Sequence, residues 1–399
     1  MVLDIGTTNI KGFLVDQDLK IQKKIETKNK TFSPQKGYFE QNPTHWFFET
    51  RLILEKLAKG KNITALGLAT QRETLVSWDK NTGIALGPAI LWYDQRTKNE
   101  AQKLGKLTDL KSVFEKTGLF WHWRYPAFKI YWLSNYSDEV KRLSQSKRIA
   151  FGPPSSWLIY NLTEERKSLI DHTQASRTLL YNLKNSSWDN KLLEIFEIEK
   201  DELPQIKPNF YSFGNIKVNN KKIPLLCSVG DQEASLAAHP IEQGITKLTL
   251  GTGIFFGQNI GQVAKISKGM ETSVCFFGKS PAKALASAGG PRPQREHSEA
   301  GEPFYMHEAR LSLSGKQIFK AVKSNNKKIL EKFKKELIKA IDLFSPQKIY
   351  VDGGLIREDI YGEKIRKILC SVSKSFIFQE EIEGTALGVA KILKNSLSN

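Results

Sequence analysis

Val2-Leu3-Asp4-Ile5-Gly6-Thr7-Thr8-Asn9-Ile10-Lys11-Gly12-Phe13-Leu14-Val15-Asp16 places two short apolar runs on either side of a Gly-Thr-Thr turn. That pattern reads as a strand, a tight turn and a returning strand. So sharp a turn points successive backbone N–H groups and two hydroxyls, those of Thr7 and Thr8, into one concavity suited to phosphate. Asp4, at the strand end, could hold Mg²⁺ through water, because magnesium keeps several waters and takes few carboxylates. Lys11 could set a cation against the phosphates. Taken alone, the same residues also describe a plain hairpin with Asp and Gly as turn residues.

Outward from this stretch, Trp46 to Leu57 reads as a helix and Ile63 to Ala69 as an apolar strand. Leu75 to Trp78 and Ala89 to Trp92 are shorter extended pieces. Strands and helices alternate as far as Leu236, which argues for α/β layers. A second α/β block begins near Ile245, where strand Lys247–Leu250 runs into Gly251-Thr252-Gly253. It closes with strand Lys348–Asp352, the turn Gly353-Gly354, and a helix from Thr385 to Leu397. Glycines at such turns allow a backbone to approach a ligand closely. Ser287 to Pro303 has no apolar period and is expected to be a loop or partly disordered. The lysine-rich run Lys316 to Lys339 carries Ile318, Phe319, Val322, Ile329, Leu330, Phe333 and Leu337 at helical spacing, which predicts one amphipathic helix with a solvated lysine face.

The 399 residues are enough for two domains at about 100–200 residues each. A hydrophobic fraction of 40% places the chain among globular proteins. With a mean hydropathy of −0.38 and no long apolar run, membrane insertion is not expected. The early carboxylate Asp4 reads against a signal peptide. Cys227, Cys275 and Cys370 lie too far apart for a CxxC site or a disulfide framework, and a reducing cytoplasmic setting fits. The net charge of +18 attracts nucleic acid, anionic membrane and phosphorylated metabolites alike. The lysines are scattered and no nucleic-acid module is present, so the charge reads as a solubility feature.

Two Gly-Thr turns, one per block, with a C-terminal Gly-Gly turn, resemble the superfamily of actin, heat-shock chaperones and sugar kinases. Neither a Walker A loop nor a GxGxxG fingerprint occurs. Longer stretches are similar to the glycerol kinases of the FGGY carbohydrate kinase family. These are Gly67-Leu68-Ala69-Thr70-Gln71-Arg72-Glu73-Thr74 with Trp78-Asp79-Lys80, then Trp92-x-Asp94-x-Arg96-Thr97, Phe151-Gly152 with Trp157-Leu158-Ile159, Asp171-x-Thr173-x-Ala175-Ser176-Arg177-Thr178-Leu179, and Gly230-Asp231-Gln232-Glu233-Ala234.

The resemblance implies an α/β fold of two actin-like (ribonuclease H-like) domains, 1–237 and 238–399, flanking a catalytic cleft. It implies ATP and Mg²⁺ as cofactors and phosphorylation of glycerol to sn-glycerol 3-phosphate, with Asp231 as general base. Arg72, Glu73, Arg124, Asp231 and Gln232 would read the substrate, and Trp92 and Phe255 would pack its carbon skeleton. Gly6, Thr7, Thr8, Asn9, Lys11, Gly251, Thr252, Gly253, Gly353, Gly354 and Glu358 would contact nucleotide, and Asp4 with Asp231 would hold the metal. The partner is a small polyol or sugar, with no nucleic acid and no membrane insertion; a homo-oligomer is compatible with the sequence. The alternatives are an FGGY kinase for a pentulose or other polyol, and a degenerate, non-catalytic binding protein.

Several positions depart from the family. Arg124 stands where the family has a substrate-contacting Tyr, with Tyr125 one place later. Glu358 replaces an adenine-side Asn, and Lys11 replaces an Arg. Family members carry a long segment, including an adenine-side helix, where this chain has only the stretch from Gly290 to Gly301. Gly301-Glu302-Pro303-Phe304-Tyr305 resembles the motif that resumes after it.

Overall fold

The computed structural model describes residues 1–240, 242–251, 253–267, 269–278, 302–356, 359–378 and 383–397. The opening stretch forms β1 (Val2–Ile5) and β2 (Asn9–Val15), paired antiparallel across the expected turn. With β3 (Ile21–Lys28), β4 (Leu66–Thr70), β5 (Phe210–Val218) and β6 (Lys221–Gly230) they make a sheet of order β5-β6-β4-β1-β2-β3. β1 pairs parallel with β4, and β4 parallel with β6. A parallel neighbour requires a crossover, and helix α1 (Pro43–Ala58) lies in the connection from β3 to β4. Val2–Ile5 and Leu66–Thr70 are buried throughout, as central strands covered on both faces must be.

The second block repeats this plan. Its strands are β7 (Thr246–Leu250), β8 (Ile254–Gly261), β9 (Glu271–Gly278), β10 (Glu302–Arg310), β11 (Ile349–Asp352) and β12 (Phe376–Phe378), in the order β9-β10-β8-β7-β11-β12. β7 pairs antiparallel with β8 and parallel with β11, and β8 and β12 extend the sheet outward with the same senses as β2 and β6. The run β3-β2-β1-β4-β6 therefore matches β10-β8-β7-β11-β12, strand for strand. The two sheet-containing α/β domains expected from the sequence are present.

Two local expectations are corrected. The lysine-rich run is two helices, α3 (Gly315–Lys323) and α4 (Lys327–Phe344), because Asn325 takes a left-handed φ of 51° and Asn326 caps Ile329 N. Ile318, Val322, Phe333 and Leu337 enter the core, but Phe319 stays exposed. Glu302 and Pro303, expected in a loop, open β10, at the start of a strand where a proline is tolerated. The rest of the stretch from Ser287 lies outside the described residues.

After β6 comes α2 (Asp231–Ala237), and the chain ends with α6 (Gly384–Leu397), preceded by α5 (Ile360–Val372). α6 returns to the first sheet, packing on β1 and β4 and along α2. A mixed cluster follows, with Val2, Ala69, Val229 and Ala234 meeting Phe276, Met306, Ala386 and Val389. The close approach requires glycine: a Cβ at Gly388 would fall 1.7 Å from the Ala234 carbonyl oxygen. Gly388→Ala is expected to push α6 outward at a cost of about 1–3 kcal/mol. In a thermal melt that is a drop of roughly 2–10 °C; an unchanged midpoint would mean α6 does not seat on α2. Among the described residues, no helix is long and apolar enough to cross a membrane.

Candidate active site

The repeated topology sends the ends of β1, β4, β6 and β7 toward one place, so their following turns converge. Thr7, Thr8, Arg72, Glu73, Trp92, Asp231, Gln232, Gly251, Gly253 and Phe255 line a cavity of about 200 Å³, with Gln71 and Thr249. Ten residues singled out from the sequence are thus brought together from both domains.

The first turn is braced from several sides. Gly6 N donates to Asn9 O at 3.0 Å, Gln41 Nε2 donates to Thr7 O at 2.7 Å, and Asn29 Nδ2 donates to Gly6 O at 2.8 Å. The Thr7 hydroxyl donates to Gln71 Oε1 and accepts from Trp92 Nε1, both at 3.0 Å. The second turn closes with Gly251 N donating to Gly253 O at 3.1 Å. Gly353, at φ 110°, ends β11 so close to β7 that a Cβ would meet Leu250 O at 2.4 Å.

Asp231 begins α2, its Oδ1 accepting from Gln232 N at 2.8 Å and lying 3.7 Å from Arg72 Nε. Burial raises its pKa, and the Arg72 and Lys247 cations oppose the rise. Gln232 is held from β7, its Oε1 accepting from Thr249 Oγ1 at 3.0 Å and from Lys247 Nζ at 3.3 Å.

Arg72 and Glu73 sit in a buried lattice of charges. Arg72 lies 2.6 Å from Glu233 and 2.8 Å from Glu308. Glu73 pairs with Arg177 and, at 3.1 Å, with Arg124; Arg177 also reaches Glu271 at 3.0 Å. Burial would raise the Glu73 carboxyl, but Arg124, Arg177 and Arg72 together outweigh it and hold the pKa down at about 2. Glu233, with Arg72 working against burial and Glu308 working with it, is pushed up to about 7. Glu73 itself has a left-handed φ of 62°, and its carbonyl accepts from the buried Lys129 amine.

Other expected site residues are placed away from the cavity wall. Arg124 and the neighbouring Tyr125 hydroxyl both turn to Glu271. Lys11 Nζ pairs with Glu383 at 2.9 Å, and Asn9 Oδ1 accepts from Lys28 Nζ at 3.1 Å. Asp4 is buried opposite Lys11 in the β1–β2 register. Gly6, Gly353 and Gly354 are not among the described lining residues, and Thr252 and Glu358 lie outside the described residues.

The profile of the FGGY family of carbohydrate kinases, N-terminal domain, matches residues 1–237. The chain belongs to the FGGY family of carbohydrate kinases. Glycerol kinase 2 of Clostridium tetani is 35% identical over 285 residues, 69% of this chain and 58% of that protein. Glycerol kinase of Mycoplasma capricolum is 33% identical over 289 residues, 69% of this chain and 57% of that protein. The matched stretch therefore spans a little over half the length of these relatives. Among solved structures, Plasmodium falciparum glycerol kinase with ADP superposes with a TM-score of 0.82 at 22% identity, covering 99% of this chain and 92% of that one. Xylulose kinase from Lactobacillus acidophilus gives 0.79 at 18% identity, covering 100% and 89%. These likenesses establish the shared two-domain fold.

Sequence reasoning missed Glu233, Glu271, Glu308 and Arg310 as parts of the site. Glu308 carried a usable signal, a carboxylate inside the otherwise buried run Phe304 to Glu308, since such a charge is rarely buried unpaired.

Proposed function

We propose that this FGGY-family chain transfers the terminal phosphoryl group of Mg·ATP to a hydroxyl of a small polyol, with Asp231 as general base. The observation that carries the reading is Asp231 at the start of α2, in one cavity with the glycine turns of both domains. A hydroxyl beside the Asp231 carboxylate gives up its proton as it attacks phosphorus, while Arg72 keeps the carboxylate oriented. Trp92 and Phe255, with ring centroids 6.1 Å apart, supply the apolar wall for the carbon skeleton. Thr7, Thr8 and Gly253 face the cavity from the two turns and would meet phosphate there, while Gly6 N and Gly251 N close the turns. Kinship with glycerol kinases makes glycerol the first candidate acceptor; a pentulose or other polyol is the alternative. We divide the chain at 237/238, with α6 bridging back, so that the domains close on the cavity and exclude water.

Asp4 and Asp231 suit a magnesium ion, which would neutralise phosphate charge and orient the phosphates. Burial pushes the Asp4 carboxyl up to about 7 against the Lys11 cation, and Asp231 pushes in the same direction. Two carboxylates that repel one another are a demand for a divalent cation, with water and phosphate completing the shell. Because the folded pKa lies above the unfolded one, Asp4 costs stability increasingly as pH rises from about 4 toward 7. Without metal, Asp4→Asn is therefore expected to raise the thermal midpoint at pH 8, on the order of 5 °C. Mg²⁺ should raise the wild-type midpoint more at pH 8 than at pH 5.5. A wild type and Asp4→Asn that respond equally to Mg²⁺ would remove Asp4 from the metal site.

The assay is ADP release from Mg·ATP with glycerol, D-xylulose and other polyols. Turnover of a ketopentose but not glycerol would replace glycerol. One observation favours a non-catalytic reading, namely that Lys11 is held by Glu383 rather than directed at the cavity. Calorimetry separates the two, because acceptor binding without any binding of millimolar Mg·ATP would select the binding protein.

A further inference from the structure

Four guanidiniums lie in or beside the cavity wall, and three are matched. Arg72, Arg124 and Arg177 each lie within ion-pair distance of two or more carboxylates. Arg310 differs. It ends β10, opposite Phe255 in the β8–β10 register, and it is exposed. Among the described residues no carboxylate lies within ion-pair distance of it. Its guanidinium carbon stands 4.8 Å from the Trp92 ring centroid and 5.8 Å from that of Phe255. Those two rings are the apolar wall of the acceptor cavity.

The charge of Arg310 is poorly compensated. Its crowded setting and the Arg124 cation both work against its charged form, and the more distant Glu73, Glu308 and Glu271 do not make up the difference. A guanidinium does not deprotonate in a protein, so Arg310 stays a cation held over the two rings and open to an anion that binds there. The planar fork of donors on Arg matches a carboxylate, and the ring contacts fix where that fork is held. Arg124 had the stronger claim from the sequence, but Glu73 and Glu271 occupy it.

We propose that Arg310 is a specificity-determining residue that pairs with a carboxylate on the acceptor, so that the preferred acceptor is a small polyhydroxy acid rather than a neutral polyol. This rests on the phosphoryl-transfer reading above and replaces glycerol, the first candidate acceptor there, with an acid. An anion at Arg310 would lie beside a skeleton packed on Trp92 and Phe255. Those rings also touch the glycine turns at Thr7 and Gly253, so the experiment below separates an acceptor carboxylate from the transferring phosphoryl group. The reacting end is unchanged: the acceptor oxygen bonds to the γ-phosphorus, the bond from phosphorus to the β,γ-bridging oxygen breaks, ADP leaves, and the hydroxyl proton passes to Asp231. The carboxylate takes no part beyond binding.

D-Glycerate and glycerol differ by a carboxylate in place of one hydroxymethyl group, which makes them the direct comparison. With saturating Mg·ATP and ADP detection, the full chain is expected to show a kcat/KM for D-glycerate at least tenfold above that for glycerol. D-Gluconate against D-xylulose gives the longer pair. Arg310→Met, which keeps an apolar contact with the rings, should lower kcat/KM for the acid about 10- to 100-fold more than for glycerol, chiefly through KM, as expected for losing a charge-assisted hydrogen bond. Arg310→Lys should restore part of the loss. A wild type that prefers the neutral acceptors would overturn the proposal. So would an Arg310→Met that lowers every acceptor alike, which assigns the cation to the transferring phosphoryl group. If no acceptor is turned over, the phosphoryl-transfer reading fails, and calorimetry with D-glycerate decides Arg310 separately: binding lost in Arg310→Met supports its role, and no binding to the wild type rejects it.

Discussion

Asp231→Asn is expected to lower kcat by about 10²–10⁴, the span associated with losing a positioned general base. The substitution is nearly isosteric, and the amide oxygen can still accept from Gln232 N as Oδ1 does at 2.8 Å. What it cannot do is take the proton of the attacking hydroxyl. At about 1.36 kcal/mol per decade, the loss amounts to roughly 3–5 kcal/mol of transition-state stabilisation. KM for the acceptor should move much less, because Arg72, Trp92 and Phe255 remain in the cavity wall. The pH profile gives a second reading. Burial holds the Asp231 pKa above the usual carboxylate value, so kcat/KM in the wild type should fall as pH drops through that raised value and the base becomes protonated. The acid limb should vanish in Asp231→Asn. Steady-state ADP release across pH 5 to 9 measures both; an Asn variant with near wild-type kcat would remove Asp231 from its role.

The parts of this site that were legible in the sequence share one physical origin. Turns after strands are local, so Gly6 to Thr8, Gly251 to Gly253 and Gly353-Gly354 announce themselves by residue type. Asp231 and Arg72 follow apolar runs that the structure makes into β6 and β4. What was not legible depends on pairing at long sequence separation. Arg177 meets Glu271 from 94 residues away and Arg72 meets Glu308 from 236, and nothing local names the partner of either carboxylate, even where the run around Glu308 marks it as buried. Arg124 was legible as a departure but not in its consequence, because Glu271 sits on a strand of the other domain. The split of the lysine-rich helix turned on Asn325 and Asn326, whose preference for left-handed and capping positions was outweighed in reading by an unbroken apolar stripe. The return of α6 to the first sheet has no sequence marker except Gly388, and that glycine has meaning only once Ala234 is seen against it.

The same long-range charges predict where the protein is most fragile. Arg177 is 1% exposed and serves Glu73, Glu271 and, at 3.7 Å, Glu308. Replacing it with Met fills much of the space but leaves Glu73 and Glu271 to share Arg124, and Glu308 to rely on Arg72. Such an under-compensated buried cluster costs up to about 3–5 kcal/mol. Against a total stability of about 5–15 kcal/mol, that is a large fraction. The thermal midpoint should fall by roughly 6–20 °C. Hydrophobic replacement of an entire buried pair costs far less than removal of one partner, so adding Glu73→Gln to Arg177→Met should recover part of the loss. The pH dependence has a definite sign. In the wild type the folded Glu73 pKa, about 2, lies below its unfolded value of 4.5. Its contribution is therefore complete above that unfolded value and is lost as pH falls toward 2. In Arg177→Met burial has less opposition, the Glu73 carboxyl moves up, and protonation relieves it. The deficit of the variant relative to wild type should therefore shrink between pH 7 and pH 5. Thermal melts of the wild type, Arg177→Met and the double variant at both pH values test this. A deficit that stays constant with pH, with no recovery in the double variant, would mean that Arg177 stabilises the fold by packing rather than by charge.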